Sequence, residues 1–206
     1  MLEQFGIIPV NFGTLVSVLD NYKYPKDKIS NLEKSDNLIR LKKGMFVVSP
    51  KVHNQPISKE LIANHIYGPS YISFEHALSF YGLIPERVHT IHSMTIKRGR
   101  KFSTPIGNFE YTNAKKEYFQ IGIHQEIING KYAYLIASVE KALCDMIVAT
   151  HHLRIQSVKA MQEYLEEDLR IDFSTIENYN FEIIKQCIEF GKKKTELTQL
   201  YKLLKK

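Results

Sequence analysis

The chain has 206 residues, 44% of them hydrophobic, so it can bury the core of one large domain or of a small and a medium one. No apolar run approaches a membrane span, acidic Glu3 lies where a signal peptide would be basic, and the two cysteines are widely separated, which disfavours membrane, secreted and disulfide-rich proteins. The sequence therefore predicts a cytoplasmic protein with no membrane partner, reduced Cys144 and Cys187 in the core, and a net charge of +6 that suits a polyanion.

The first fifty residues show the pattern of two helices and a hairpin. Apolar residues recur at helical spacing over residues 12–22 and predict a first helix. Pro25 suits the first position of a second helix that runs to about Ser35. Two β-prone runs over residues 38–48 surround Lys43-Gly44 and predict a hairpin. This order is that of a winged helix-turn-helix.

The outward face of the second predicted helix and the hairpin carry the candidate DNA-binding residues. With Ile29 placed inward at about 100° per residue, polar side chains occupy the opposite arc. Short polar groups there could read base edges and lysines could reach phosphates, while hairpin cations would follow the DNA backbone. Any surface helix has a charged face, so the pattern leaves DNA binding and a plain protein-contact module both open. The candidates are Lys26, Ser30, Asn31, Lys34, Arg40, Lys42 and Lys43.

A turn-rich segment, Pro50 to Pro56, separates two predicted domains. The first, residues 1–52, is the predicted winged helix-turn-helix DNA-binding domain, and the second, residues 57–206, is a larger α+β domain with antiparallel hairpins. In the second domain Ser58 is expected to cap a helix. Ser73 and Gly82 are then expected to cap the two ends of a short helix, through a side-chain acceptor and a left-handed turn.

The densest charge in the chain is the basic run Lys97, Arg98, Arg100 and Lys101, within a β-type region. At the tip of a hairpin it could contact nucleic acid or an acidic protein surface, and a solvated turn is the alternative. His89 and His92 are three residues apart in a predicted strand, so they point to opposite faces and are rejected as metal ligands.

Another hairpin and a helical tail complete the predicted fold. Asn129-Gly130 is a strong hairpin signal because both central residues of this turn adopt positive φ. Ser138 is expected to cap a helix that follows, and the chain from about residue 151 has helical periodicity.

Three segments in this order resemble the signature segments of the AbiEi-type antitoxin family. They are Tyr71 to Glu86 (YISFEHALSFYGLIPE), Met94 to Tyr111 (MTIKRGRKFSTPIGNFEY) and Ile136 to Asp145 (IASVEKALCD). The N-terminal unit is also similar, because the family's wing ends in a pattern like Gly44-Met45-Phe46, although many members have Leu or Val in place of Met45. The resemblance covers about the first three-quarters of the chain.

The resemblance implies a bacterial regulator from an abortive-infection toxin–antitoxin system. Its N-terminal domain would bind operator DNA and repress its own operon. Its larger domain would counteract a nucleotidyltransferase-like toxin, in a type IV system where the two proteins need not form a stable complex. The resemblance implies no catalytic residue and no cofactor.

Two other functions remain open from the residues. One is a winged-helix protein-interaction module that does not bind DNA. The other is a nucleic-acid-processing enzyme, which would need carboxylates that converge on divalent cations. The closest acidic set, Glu166-Glu167-Asp168, lies at a predicted helix end and points in different directions. The sequence also has no glycine-rich phosphate loop, so we expect no enzyme activity, no catalytic residues and no metal site.

Overall fold

The computed structural model of the chain describes residues 1–85, 89–173 and 178–205. Glu86, the last residue of the first signature segment, lies outside these ranges. The described residues form helices and two β-sheets, so the mixed α+β class is confirmed.

The N-terminal region pairs a small sheet with two helices. Asn11 caps the first helix, since its side chain accepts a bond of 2.8 Å from the Thr14 amide. This helix ends at Val18, four residues before the predicted end at Tyr22, and turns follow it. The elements, after a 3₁₀ turn over Leu2–Phe5, are β1 (Val10–Asn11), α1 (Phe12–Val18), α2 (Pro25–Lys34), β2 (Leu38–Lys42) and β3 (Met45–Val48).

The strands of this region form an antiparallel sheet in the order β1-β3-β2. Gly44 has a φ of +76° in the turn between β2 and β3, where a left-handed residue closes the predicted hairpin. Leu15, Leu19, Ile29 and Phe46 are fully or almost fully buried between helices and sheet. Ile29 therefore faces inward, as the sequence pattern predicted.

A short helix, α3 (Pro50–His53), follows β3, and its Val52 packs against the core of the N-terminal region. The larger region after it contains a mixed six-stranded sheet. Its strand order is β6-β7-β5-β4-β9-β8, with parallel pairs β5/β7 and β4/β9 among antiparallel ones. The elements up to the last strand are α4 (Lys59–Ile66), β4 (Ser70–Ile72), α5 (Phe74–Phe80), β5 (Thr90–Thr95), β6 (Arg100–Thr104), β7 (Gly107–Asn113), α6 (Lys116–Phe119), β8 (Ile123–Ile128) and β9 (Tyr132–Ala137).

The basic run does not lie at the tip of a hairpin, so that expectation is wrong. Strand β7 inserts between β5 and β6 and pairs with both. The run thus occupies the connection after β5 and the first residues of β6, which is an edge strand. Charged residues such as Arg100 and Lys101 suit an edge, because they discourage pairing with another chain.

Turn and cap signals in the larger region are confirmed in three places. The Ser58 and Ser138 hydroxyls accept bonds from the amides of Leu61 and Lys141, at 3.1 and 3.3 Å. Asn129 and Gly130 have φ angles of 51° and 66° in the turn of the β8–β9 hairpin. The chain then continues as α7 (Val139–Ala149), α8 (Val158–Glu163) with a π-helical turn (Tyr164–Asp168), α9 (Phe181–Phe190) and α10 (Lys194–Leu204).

One predicted cap is wrong. Ser73 precedes α5, but its hydroxyl donates a bond of 2.7 Å to Asp145 Oδ2 instead of accepting from the helix. Phe74, the first residue of α5, has a φ of +58°, so the chain does not enter this helix with the usual capping geometry, and the Ser73 hydroxyl bonds to the buried carboxylate of Asp145. At the other end Gly82 has a φ of +75°, as the left-handed cap requires.

Two core clusters share the hairpin β2–β3. The smaller cluster contains residues from Leu2 to Val48. The larger one spans the six-stranded sheet and its helices, and it includes Leu41 and Val47 from the hairpin. One side of the hairpin therefore packs against the larger region, which fixes where the hairpin cations lie.

Helices α4 and α5 are joined by a polar pair whose contribution depends on pH. Glu60 Oε1 lies 3.0 Å from His76 Nε2. Burial alone would raise the pKa of Glu60, but bonds from His76, from its own backbone amide and from Ser58 outweigh burial and bring the pKa to about 2. The carboxylate therefore stabilises the fold above its ordinary pKa of 4.5, and this stability is lost as pH falls towards 2.

We expect Glu60→Gln to lower the free energy of unfolding by about 1 kcal/mol at pH 7, a figure that allows for solvent screening of the partly exposed pair. The difference from the wild type should shrink as pH falls from 4.5 to 3, because the Glu60 carboxyl group of the unfolded wild-type chain takes up a proton in this range while the folded carboxylate, with a pKa of about 2, stays charged. Urea unfolding at pH 7, 5, 4 and 3 measures it. Glu182→Gln is the control, since its pair with Lys185 is exposed. A difference that stays constant with pH would contradict the assignment.

Candidate nucleic-acid interface

The four polar candidates on α2 lie together on its exposed face. Lys26, Ser30, Asn31 and Lys34 are all exposed, while Ile29 on the opposite side is 1% exposed. The Ser30 hydroxyl donates to the Lys26 carbonyl at 3.2 Å, and its oxygen can still accept a bond. We call Lys26, Ser30, Asn31 and Lys34 the α2 arc.

Arg40 already has a partner in the fold. Its Nε and Nη2 atoms donate to Glu33 Oε1 and Oε2 at 2.7 and 2.5 Å, and its guanidinium lies 4.7 Å from the centre of the Phe46 ring. The hydrogen bond and charge of Arg40 lower the pKa of Glu33, and those of Glu33 raise the pKa of Arg40. This pair neutralises the carboxylate on α2 that lies nearest to the hairpin, and Arg40 brings no extra charge to a ligand.

The remaining hairpin cations face a cleft between the N-terminal region and the larger sheet. The cleft has a volume of about 550 Å³ and contains side chains from both predicted basic sets. Lys42 and Lys43 come from the hairpin, and Lys97 and Arg100 come from the basic run. Two aromatic residues, Tyr67 and Phe102, also line it. We call this feature the basic cleft.

Backbone carbonyls and aromatic rings hold the cations of the basic cleft. Lys42 Nζ donates to the Ile66 carbonyl, and Lys97 Nζ donates to the Gly68 carbonyl. The Arg100 guanidinium carbon lies 5.1 Å from the centre of the Phe102 ring, and Lys97 Nζ lies 5.3 Å from that of Tyr67. These distances are typical of cation–π contacts.

The positive charge of the basic cleft is not compensated locally. Burial lowers the pKa of the Lys42 ammonium, and the neighbouring Lys97 and Arg100 lower it further. Within the described part of the chain, the residues that line the cleft include no aspartate or glutamate. Three cations therefore repel one another at a site that an anion would stabilise.

The other two cations of the basic run lie in different settings. Arg98 is exposed in the connection after β5, where its carbonyl accepts a bond of 3.1 Å from the Tyr67 hydroxyl. Lys101 Nζ lies 2.8 Å from Glu110 Oε1 on β7. The structure thus divides the basic run, with two members in the cleft and Lys101 paired away from it.

Residues 1–85, 89–173 and 178–205 contain no group of three or more histidine, cysteine, aspartate or glutamate side chains placed to hold a metal ion. Among these same residues, no helix is long and apolar enough to cross a membrane. The acidic set Glu166 to Asp168 lies in the π-helical turn after α8.

Sequence reasoning missed a buried polar network on α7. Lys141 and Asp145 are both 0% exposed, and Lys141 Nζ lies 3.1 Å from Asp145 Oδ1. Asp145 Oδ2 accepts bonds from the Tyr71 and Ser73 hydroxyls at 3.0 and 2.7 Å. Lys141 Nζ also donates to the Tyr118 carbonyl at 3.0 Å. The sequence did contain a signal for this network, namely a cation and an anion four residues apart in a helix that is otherwise apolar.

This network ties elements together inside the core. Burial raises the pKa of the Tyr71 phenol well above its usual value, and the Asp145 carboxylate adds to the rise, so Tyr71 stays protonated and donates. Tyr71 and Ser73 belong to the first signature segment and Asp145 to the third. Because every member is buried, we assign the network a structural role and not a ligand-binding one.

Comparisons with known proteins give no family. No model of a known family matches the chain, and the comparison with curated proteins finds no significant match. Among solved structures, JHP933 from Helicobacter pylori is 13% identical over 63% of this chain and 68% of its own, with a TM-score of 0.30. A candidate nucleotidyltransferase from H. pylori is 13% identical over 70% and 78%, also with a TM-score of 0.30. Similarity this low says nothing about function.

Proposed function

We propose that the protein is a DNA-binding transcriptional regulator and antitoxin of a bacterial abortive-infection toxin–antitoxin system. It acts in the cytoplasm, represses its own operon and counteracts a nucleotidyltransferase-like toxin. Residues 1–52 form a winged helix-turn-helix in which α2 enters the major groove and the β2–β3 hairpin is the wing. Residues 57–206 form the antitoxin-type domain. The proposal assigns no catalytic role and no cofactor.

The observation that carries the DNA-binding proposal is the α2 arc. Its two lysines and two short polar side chains are exposed together, and Arg40 neutralises Glu33 on the same helix. Lysines reach phosphates, and serine and asparagine side chains can bond to base edges, so one helix face has both functions that readout in the major groove needs. Lys43, exposed in the hairpin turn, is suited to contact the flanking backbone.

The antitoxin part of the proposal rests on the three signature segments. In the fold these segments meet, because Tyr71 and Ser73 of the first bond to Asp145 of the third. The second segment supplies β6 and the first five residues of β7 in the same sheet. Residues that are far apart in the sequence thus build one structural unit, which is what a family signature that specifies a fold would do.

Replacing both arc lysines should weaken DNA binding and its salt dependence. For the full chain with Lys26→Gln and Lys34→Gln, we expect about tenfold lower affinity for a duplex from the region upstream of its own gene at about 0.1 M salt. The plot of log affinity against log salt has a negative slope, and this slope should become less steep by about 2, one for each lost phosphate contact. Fluorescence anisotropy at four salt concentrations measures both quantities. The full chain is needed because Leu41 and Val47 pack into the larger core.

The matched control removes two cations elsewhere, Lys159→Gln with Lys185→Gln, both exposed and outside the N-terminal region. Equal loss in the control would mean that only net charge matters. If the arc variant bound the duplex with unchanged affinity, this would contradict the DNA-binding proposal and favour the protein-interaction module.

A further inference from the structure

The basic cleft has the composition of an anion site, independently of the α2 arc. Three of its cations come from two distant parts of the chain: Lys42 from β2, and Lys97 and Arg100 from the basic run at the end of the β5–β6 connection and the start of β6. The fold brings them to one cleft although like charges repel. From this geometry we propose that the basic cleft binds a phosphate group carried by a larger molecule.

The lysines are held in place but keep donors free. An ammonium has three donors, and the observed bonds to the Ile66 and Gly68 carbonyls each use one of them. Those bonds fix the two ammonium groups at the cleft, so less freedom is lost when a ligand binds. The remaining donors are suited to the several acceptor oxygens of a phosphate.

Arg100 is placed to supply directional donors. Its guanidinium carbon lies 5.1 Å from the centre of the Phe102 ring, a distance typical of a cation–π contact. Guanidinium N–H groups bind phosphate oxygens in pairs, and a contact with an aromatic ring does not occupy them with a carbonyl or carboxylate acceptor. The aromatic ring therefore orients Arg100 without consuming its donors.

Phosphate fits this cleft better than a carboxylate does. A carboxylate brings one negative charge, whereas a terminal phosphate brings close to two and a polyphosphate brings more. Three converging cations and no acidic lining residue in the described chain match the larger charge. At about 550 Å³ the cleft has room for more than the phosphate itself, and the two carriers that the experiment compares are a nucleotide and a nucleic-acid backbone.

Titration calorimetry of the full chain with inorganic triphosphate tests the proposal. We expect saturable binding with one site per chain, and at least fivefold weaker binding for Arg100→Gln. Lys97→Gln should weaken binding similarly, and its melting temperature shows whether the fold is intact. The matched control is Lys101→Gln, which removes the same charge one residue away from Arg100 at a side chain that pairs with Glu110. It should bind within twofold of the wild type.

Competition identifies the source of the phosphate. If the group belongs to a nucleic-acid backbone, a 20-base-pair duplex displaces triphosphate and Arg100→Gln also weakens duplex binding. If it belongs to a free nucleotide, ATP displaces triphosphate and the duplex does not. Either result supports the proposal. Three results would overturn it. The first is that triphosphate does not bind saturably, and the second is that Lys101→Gln weakens triphosphate binding as much as Arg100→Gln does. The third is that neither the duplex nor ATP displaces triphosphate.

This inference stands or falls separately from operator binding. The Lys26→Gln and Lys34→Gln variant should bind triphosphate like the wild type, because the α2 arc does not line the cleft. Loss of triphosphate binding in that variant would contradict the separation of the two sites.

Discussion

Replacing Lys141 with methionine should lower the free energy of unfolding by about 3–5 kcal/mol. The methionine fills most of the space, but it leaves the Asp145 carboxylate buried at 0% exposure without its cation. An uncompensated buried charge is among the largest single costs that one substitution can cause. Urea unfolding at pH 7, followed by circular dichroism, measures the change.

Two further variants separate the ion pair from other effects. Lys159→Met removes a lysine with the same spacing to its acidic partner, Glu163, but this pair is exposed, so the loss should be below about 0.5 kcal/mol. Lys141→Met with Asp145→Asn removes both charges and keeps an acceptor for Tyr71 and Ser73, so it should recover part of the lost stability. A loss below about 1 kcal/mol in Lys141→Met would mean that Lys141 does not compensate Asp145.

These two pairs also show what the sequence could not reveal. Lys141–Asp145 and Lys159–Glu163 have the same four-residue spacing on helices, and the first is fully buried while the second is exposed. Local sequence specifies the spacing, but burial depends on which elements pack over the helix. By contrast the Ser58 and Ser138 caps and the turn at Asn129-Gly130 depend only on neighbouring residues, and they were predictable.

The strand order and the basic cleft were unpredictable for the same reason. Strand β7 pairs with both β5 and β6, and a run of β-prone segments does not say which neighbour each will choose. The two basic sets were both visible in the sequence. Their meeting depends on hairpin residues Leu41 and Val47 packing into the core of the larger region, a contact between distant parts of the chain.

Gly122 lies beside Lys141 and lacks room for a side chain. A Cβ at this position would lie 2.9 Å from Lys141 Cβ and 2.9 Å from Ile183 Cγ2, and the residue has a φ of +60°. Its carbonyl also accepts the Ser138 amide at 2.7 Å, which holds the backbone at the start of α7. Both close contacts are to atoms of packed helices, so neither can move away at low cost.

Gly122→Ala should therefore lower the free energy of unfolding by about 3 kcal/mol, of which about 1–2 kcal/mol comes from the left-handed backbone and the rest from overpacking. Gly130→Ala is the matched control. Gly130 has a similar φ of +66°, but a Cβ there would meet no atom of the described residues within 4 Å, so it should cost only the backbone part. Urea unfolding of the two variants measures the difference. Equal losses would mean that the contacts of Gly122 with Lys141 and Ile183 relax freely, and that the packing around the buried Lys141 is looser than these distances require.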